Sequence, residues 1–170
     1  MYSFLVRILF LFSPERAHAI TMVLLSFLIK IPGIKPLLKH WFVVEKPVTV
    51  FGLTFKNRVG LAAGFDKNAK HLDVFEALGF GFVEIGTVTP KAQPGNPKPR
   101  SFRLVKDKAL INRMGFNNDG MDVVYERLKN RKASILIGGN IGKNKVTPNE
   151  EAVNDYALCF ERLYDVCDYF

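Results

Sequence analysis

Three short segments of the chain combine small residues with hydrogen-bonding side chains, which is the composition of a site for a small ligand. They cover residues 62–67, 86–89 and 139–144. Small residues allow a flat ligand to approach the backbone closely, and a few polar groups then fix its orientation. One such segment by itself predicts little, because glycine is also a common turn residue. Their recurrence predicts a polar rim that faces a planar ligand.

Each of these segments includes or follows the end of an apolar run that is typical of a strand buried on both faces. The runs cover residues 59–64, 81–88 and 134–141, and helical patterns separate them. Alternating strands and helices predict βα units with parallel strands, which all end at the same edge of a sheet. We therefore expect the three segments to meet at the carboxyl edge.

The helical patterns indicate which faces are buried. Three helical patterns follow the three apolar runs. The second of them begins after Asp119, and the last begins after the capping box at residues 147–150, which has proline at the first helical position. The core stripe predicted for the second helix is Met121, Val124, Tyr125 and Leu128. The core stripe predicted for the last helix is Val153, Tyr156, Ala157, Phe160, Tyr164 and Cys167.

The remaining segments complete a barrel-like order. Residues 47–55 predict a small hairpin, residues 89–118 a long excursion without regular period, and residues 168–170 the opening of a fourth strand. The predicted fold class is α/β, half of a βα barrel preceded by helices and a hairpin. The 170 residues are short for a whole barrel, which typically needs about 250.

The N-terminal region predicts two short apolar helices joined at Ser13, with proline at the first position of the second helix and a stop at residues 31–33. Charged residues interrupt the apolar sequence too often for a membrane span or a signal peptide. Lys30, Lys35 and Lys39 add positive charge near its end. Two interpretations stay open, an anchor lying on an anionic membrane surface and a pair that packs on the rest of the protein.

Composition narrows the function classes. The net charge is +8, and residues 91–113 carry seven basic side chains and one acidic one. With Phe102 and Phe116 available for stacking, nucleic-acid binding is one alternative for that segment. The two cysteines lie eight residues apart and the three histidines are scattered, so no metal site or disulfide framework is predicted.

Four runs in the chain, in order, resemble the signatures of one family. They are GLAAGFDKNAK, FVEIGTVTPKAQPGNPKPRSFRL, LINRMGFNNDG and NIGKNKVTP. The family comprises the quinone-dependent, membrane-associated dihydroorotate dehydrogenases of pyrimidine biosynthesis. The resemblance implies a (β/α)8 TIM barrel that binds FMN, oxidises dihydroorotate to orotate and passes the electrons to a membrane quinone. It also implies a helical membrane and quinone module at residues 1–40, with the barrel beginning at residue 41.

The resemblance implies which residues of this chain bind the cofactor, the substrate and the quinone. The residues implied at the cofactor are Ala63, Gly64, Phe65, Asp66, Lys67, Thr87 and Asn140. Those implied at the substrate are Lys67, Asn112, Arg113, Met114, Gly115 and Phe116. His18 and Arg103 are the implied quinone-site candidates.

The resemblance further implies a serine base in a segment after the fourth strand, beyond Phe170. We therefore expect no catalytic base within these residues and no activity from them alone. The implied partners are dihydroorotate or orotate, a quinone and an anionic membrane surface, with no nucleic acid and no metal. The implied location is the cytoplasmic face of a bacterial inner membrane. The alternative is a non-enzymatic fragment that binds nucleic acid or membrane.

Overall fold

The computed structural model describes residues 2–170, with side chains from residue 4 onward. Its helices are α1 Tyr2–Phe10, α2 Pro14–Leu28, α3 Ile34–Phe42, α4 Leu72–Ala77, α5 Met121–Lys129 and α6 Ala152–Leu163. Its strands are β1 Val48–Val50, β2 Leu53–Phe55, β3 Gly60–Leu61, β4 Phe82–Val88, β5 Ser101–Leu104, β6 Ala109–Asn112 and β7 Leu136–Ile141. A 3₁₀ turn at Asn149–Glu151 precedes α6.

The central sheet is parallel, with strand order β3-β4-β7. Gly60 pairs with Phe82, and Phe82 pairs in turn with Leu136, so the strands start in register and end at one edge. Tyr169 forms a parallel bridge to Gly138. The predicted parallel βα order is confirmed, including the start of a fourth strand beside β7.

The core lies between this sheet and the helices α4 and α5. Val83, Ile85 and Ile137 are fully buried in the sheet. Val124 and Leu128 of α5 are also fully buried, and Met121 and Tyr125 pack beside them, which confirms the predicted stripe. Burying one such aliphatic side chain contributes about 1.5–3 kcal/mol. These contacts fix the strand ends that form the rim.

The predicted core face of α6 is wrong. Cys159 and Leu163 are its buried residues, whereas Val153 and Tyr164 of the predicted stripe are 75% and 66% exposed. The predicted stripe has helical spacing, but a pattern in one helix does not show which of two apolar faces meets the sheet. The cap also differs, because the hydroxyl of Thr147 donates to Asp155 and no side chain caps the helix.

Helices α1 and α2 match the predicted pair, but the hydroxyl of Ser13 forms no capping hydrogen bond. Of the two open interpretations, packing holds for one face of α2. Ala17 is buried there, and Met22 belongs to the same core cluster as the sheet. The opposite face of α2 stays apolar and exposed, with Val23 and Phe27 as examples.

Helix α3 was not predicted, and it lies across the expected boundary between residues 40 and 41. Lys35 Nζ lies 3.4 Å from the Glu76 carboxylate and Lys39 Nζ lies 3.3 Å from it, which ties α3 to α4. The two lysines counted above as positive charge for a membrane surface thus also form ion pairs with α4. Burial alone would raise the pKa of Glu76, but hydrogen bonds from Ser134 and the charge of Lys39 lower it to about 2.

The long excursion contains an antiparallel hairpin of β5 and β6, which the sequence did not predict. Gln93 pairs with Asn118 at its base. Strand β5 has only four residues and β6 begins with three consecutive apolar residues, so the hairpin shows no sustained period of two. None of the helices described is long and apolar enough to cross a bilayer.

Candidate functional site

Two glycines bring the segment after β3 against the end of β4. The N–H of Gly64 donates to Gly86 O over 2.9 Å, and the N–H of Gly86 donates to Lys67 O over 3.1 Å. Gly64 has φ +104°, and a Cβ built on it would meet no atom within 4 Å. The backbone at this position therefore faces open space, as the approach of a flat ligand requires.

Thr87 and Asn140 join the ends of β4 and β7. The Thr87 hydroxyl donates to Asn140 Oδ1 over 2.5 Å, and the Asn140 side chain is exposed. Gly86 allows this close approach, because a Cβ there would lie 2.2 Å from the Asn140 carbonyl oxygen. The structure thus brings Thr87 and Asn140 together at the carboxyl edge, where the sequence predicted a polar rim.

Lys67 is the cation of this rim. Its Nζ donates to Asn117 Oδ1 over 2.7 Å. Burial lowers the pKa of Lys67, the charge of Arg100 lowers it further, and Glu15 partly opposes both. A partly desolvated ammonium is well placed to bind an anion. Sequence reasoning missed Asn117, although it directly follows the run 112–116 predicted to contact substrate.

The segment 112–116 leaves the hairpin at the end of β6. Asn112 pairs with Ser101 across the hairpin, and the Arg113 guanidinium lies over the Phe102 ring, 5.7 Å from its centroid. Gly115 and Phe116 both have positive φ, and Phe116 is 60% exposed. This loop reaches the rim through Asn117 and its hydrogen bond to Lys67.

A buried amide network fastens the excursion to the strand ends. Asn118 Nδ2 donates to Thr89 Oγ1 over 2.9 Å, and Asn144 Nδ2 donates to the same oxygen over 3.1 Å. Asn144 Nδ2 also lies 3.0 Å from Gln93 Oε1. Sequence reasoning missed these residues as supports, because their partners lie up to 55 positions away.

Phe65 and Asp66, implied at the cofactor, make other contacts in the structure. Asp66 is buried, and its carboxylate accepts the N–H groups of Lys70 and His71. Phe65 packs edge-on against His18, with ring centroids 4.6 Å apart. Asp66 therefore shapes the loop, and Phe65 joins the rim to the helical pair.

His18 and Arg103, the implied quinone-site residues, both lie where the helical pair meets the barrel. His18 Nε2 is buried, and it has no hydrogen-bond partner among the described residues. The Arg103 guanidinium donates to Phe12 O over 2.6 Å and lies 4.6 Å from the Phe10 ring centroid. Arg103 is partly exposed, and these contacts hold its guanidinium against the end of α1.

A separate cavity of about 680 Å³ lies at the amino end of the sheet, away from the rim. It contains none of the site residues predicted from the sequence. Its lining is mainly apolar and includes Phe42, Val44, Pro47, Val59, Leu78 and Phe80.

Comparison with known proteins shows the family of the chain. A family model described as dihydroorotate dehydrogenase matches residues 46–170. The chain belongs to the dihydroorotate dehydrogenase family. A protein of Christiangramia forsetii named dihydroorotate dehydrogenase (quinone) is 56% identical over the whole chain, and one of Stenotrophomonas maltophilia with the same name is 53% identical over 99% of it.

The solved structures of this family have the same fold. The ligand-free DHODH of Eimeria tenella superposes with a TM-score of 0.75 at 45% identity over 92% of the chain. The complex of that DHODH with ferulenol gives a TM-score of 0.73 at 44% identity, again over 92% of the chain. The predicted TIM-barrel fold class is confirmed.

The match extends over only part of these proteins. The chain spans 51% and 48% of the two bacterial relatives and 44% of the ligand-free structure. It corresponds to the N-terminal half of the family's barrel.

Proposed function

We propose that this chain is part of an enzyme that oxidises dihydroorotate to orotate, with bound FMN, and delivers the electrons to a membrane quinone. The bacterial relatives carry the name dihydroorotate dehydrogenase (quinone) and are at least half identical to the chain. The observation that carries the proposal is the meeting of Lys67, Thr87 and Asn140 at one edge of the sheet. Lys67 follows β3, and Thr87 and Asn140 lie near the ends of β4 and β7.

The rim residues fit the flavin. The open backbone at Gly64 and the neighbouring Ala63 suit a planar ring, and Thr87 and Asn140 offer a hydroxyl and an amide at its edge. When bound, FMN supplies the acceptor for the two hydrogens that dihydroorotate loses as it becomes orotate. Phe65 and Asp66 act beside the cofactor through packing and loop shape.

The substrate is an anion with ring amides, and the chain offers groups for both. Lys67 would bind the substrate carboxylate with its ammonium, and its positive charge would also stabilise the negative charge that bound FMN collects on reduction. Asn112 offers two donors and one acceptor for planar amide recognition. Together with Asn112, residues 113–116 would form the substrate loop. The serine base of the family resemblance is assigned beyond Phe170.

The helical pair is proposed as the quinone and membrane module, on the cytoplasmic face of a bacterial inner membrane. Its support is an exposed apolar stripe on α2 at helical spacing, with nearby positive charge on Arg16 and Lys30. His18 and Arg103 would line the quinone path, because both lie between this pair and the barrel. The proposed module comprises residues 1–40, of which α3 is tied to the barrel by its lysines.

The test is flavin reduction in the complete, FMN-loaded enzyme. We expect dihydroorotate to bleach the flavin absorbance, and Lys67→Ala to slow that step at least tenfold, because a lost charge-assisted contact costs about 1.5–3 kcal/mol. Lys91→Ala is the matched control, since its exposed side chain lies at the same end of the sheet. A Lys67→Ala variant that reduces flavin at the wild-type rate would contradict the role of Lys67. A wild-type enzyme that dihydroorotate does not reduce would overturn the proposed function.

A further inference from the structure

Arg100 is a buried cation that joins three parts of the chain. Its residue is 7% exposed, and Nε and Nη2 both bind Glu15 Oε1, at 3.0 and 2.9 Å. Nη1 donates to Pro94 O over 2.6 Å and to Asn96 O over 3.0 Å. Glu15 lies in the first turn of α2. One side chain therefore connects the helical pair to the loop of residues 94–96.

That loop supports the segment proposed to bind substrate. The Asn96 N–H donates to Met114 O over 3.0 Å, and Asn96 Nδ2 donates to Arg113 O over 2.9 Å. The Arg113 N–H donates to Arg100 O over 2.8 Å. Packing is tight as well, since a Cβ on Gly95 would lie 2.3 Å from Met114 O. A shift of residues 94–96 would therefore move residues 113 and 114.

The arrangement depends on Glu15. A buried guanidinium without its carboxylate partner is an uncompensated charge, which a protein relieves by moving the side chain toward water. Such a movement would remove both hydrogen bonds from Nη1 to the 94–96 loop. The pair also acts on Lys67, because the charge of Arg100 lowers the pKa of Lys67 and that of Glu15 raises it.

We propose that the Glu15–Arg100 ion pair holds residues 112–116 in their substrate-binding geometry, so that the helical pair supports dihydroorotate binding as well as electron delivery. The inference rests on the proposed function for the identity of the ligand. Glu15 and Arg100 are positioning residues, since they act through the 94–96 loop and touch no reacting atom.

The first measurement separates KM from kcat in the complete, FMN-loaded enzyme. Glu15→Gln keeps the shape of the side chain and removes its charge. We expect the KM for dihydroorotate to rise about fivefold or more, with kcat changing less than twofold. Glu161→Gln, the same substitution at an exposed position of α6, is the matched control and should leave KM unchanged. Glu15→Asp keeps the charge, and its increase in KM, taken as a logarithm, should be at most half of that in Glu15→Gln.

The second measurement is hydrogen exchange, which needs no turnover. In Glu15→Gln we expect the amides of Asn96 and Arg113 to exchange at least about tenfold faster than in the wild type. The amide of Gly139, which is bonded to Tyr169 O, should keep its rate.

Wild-type KM together with wild-type exchange in Glu15→Gln would overturn the inference. If Glu15→Gln does not fold, Arg100→Lys tests the same ion pair from its other side. A fivefold increase of KM in Arg100→Lys would support the inference, and a wild-type KM there would overturn it. A wild type that dihydroorotate fails to reduce would instead overturn the proposed function, while the exchange rates would still test the loop contact.

Discussion

Asn144, which follows β7, and Thr89, which follows β4, share a hydrogen bond of 3.1 Å that is closed to solvent. Both residues are buried, and Thr89 is fully so. The oxygen of Thr89 also accepts a hydrogen bond from Asn118, so two strand ends and the long excursion meet at one hydroxyl. Neutral amides therefore join the strand ends beneath the rim at the Thr89 hydroxyl.

The first prediction concerns this network. Asn144→Asp replaces the NH2 group that donates to Thr89 and Gln93 with an oxygen. A buried carboxylate oxygen would then face the oxygen atoms of Thr89 and Gln93 without a hydrogen bond. We expect the complete enzyme to lose about 2–4 kcal/mol of unfolding free energy, measured by urea denaturation. Asn154→Asp, at an exposed position of α6, is the control and should change it by less than about 0.5 kcal/mol. Equal stability of the two variants would contradict the assigned hydrogen bonds.

The second prediction uses the low pKa of Glu76. Because its folded pKa of about 2 is below its ordinary 4.5, the carboxylate contributes stability above pH 4.5 that is lost as the pH falls toward 2. Glu76→Gln should be less stable by about 2 kcal/mol at pH 7, and the two proteins should converge near pH 2. Thermal unfolding from pH 7 to pH 2 measures this difference. Glu126 has a side chain that is 60% exposed, and Glu126→Gln should follow the wild type throughout.

The third prediction concerns the charge of Lys67. A lowered pKa means that the ammonium is lost at a pH below its ordinary 10.5. In the complete enzyme, the KM for dihydroorotate should rise with pH and bend below 10.5. Lys67→Arg should abolish that bend, because a guanidinium stays protonated over this range. A bend that persists in Lys67→Arg would assign the titration to another group.

The fourth prediction tests the exposed stripe of α2. Val23 and Phe27 are 64% and 65% exposed, and burial of such side chains in lipid contributes about 1.5–3 kcal/mol each. The double variant Val23→Ser/Phe27→Ser should sediment with anionic phospholipid vesicles at least tenfold less well, with its melting temperature unchanged. Phe51→Ser removes an even more exposed aromatic side chain from the hairpin turn and should bind vesicles like the wild type. Equal binding of all three proteins would mean that this stripe does not contact lipid.

The sequence by itself determined the order of elements around the rim. Apolar runs such as 81–88 form buried strands almost regardless of context, and parallel strands joined by helices end at one edge. The meeting of Thr87 and Asn140 follows from that order. Local signals also identified α5, because only one of its faces is apolar.

Only the tertiary structure decided the contacts between distant segments. The face of α6 that is buried, the lysines of α3 that bind Glu76, and the pairing of Glu15 with Arg100 all depend on partners far along the chain. Glu15 alone is an ordinary acid in the first turn of a helix, and Arg100 alone is one of several cations in a basic segment. Whether a charge is solvated or buried depends on the segment that packs against it. The spacing of apolar residues, every two in a strand or every 3.6 in a helix, does not identify that segment.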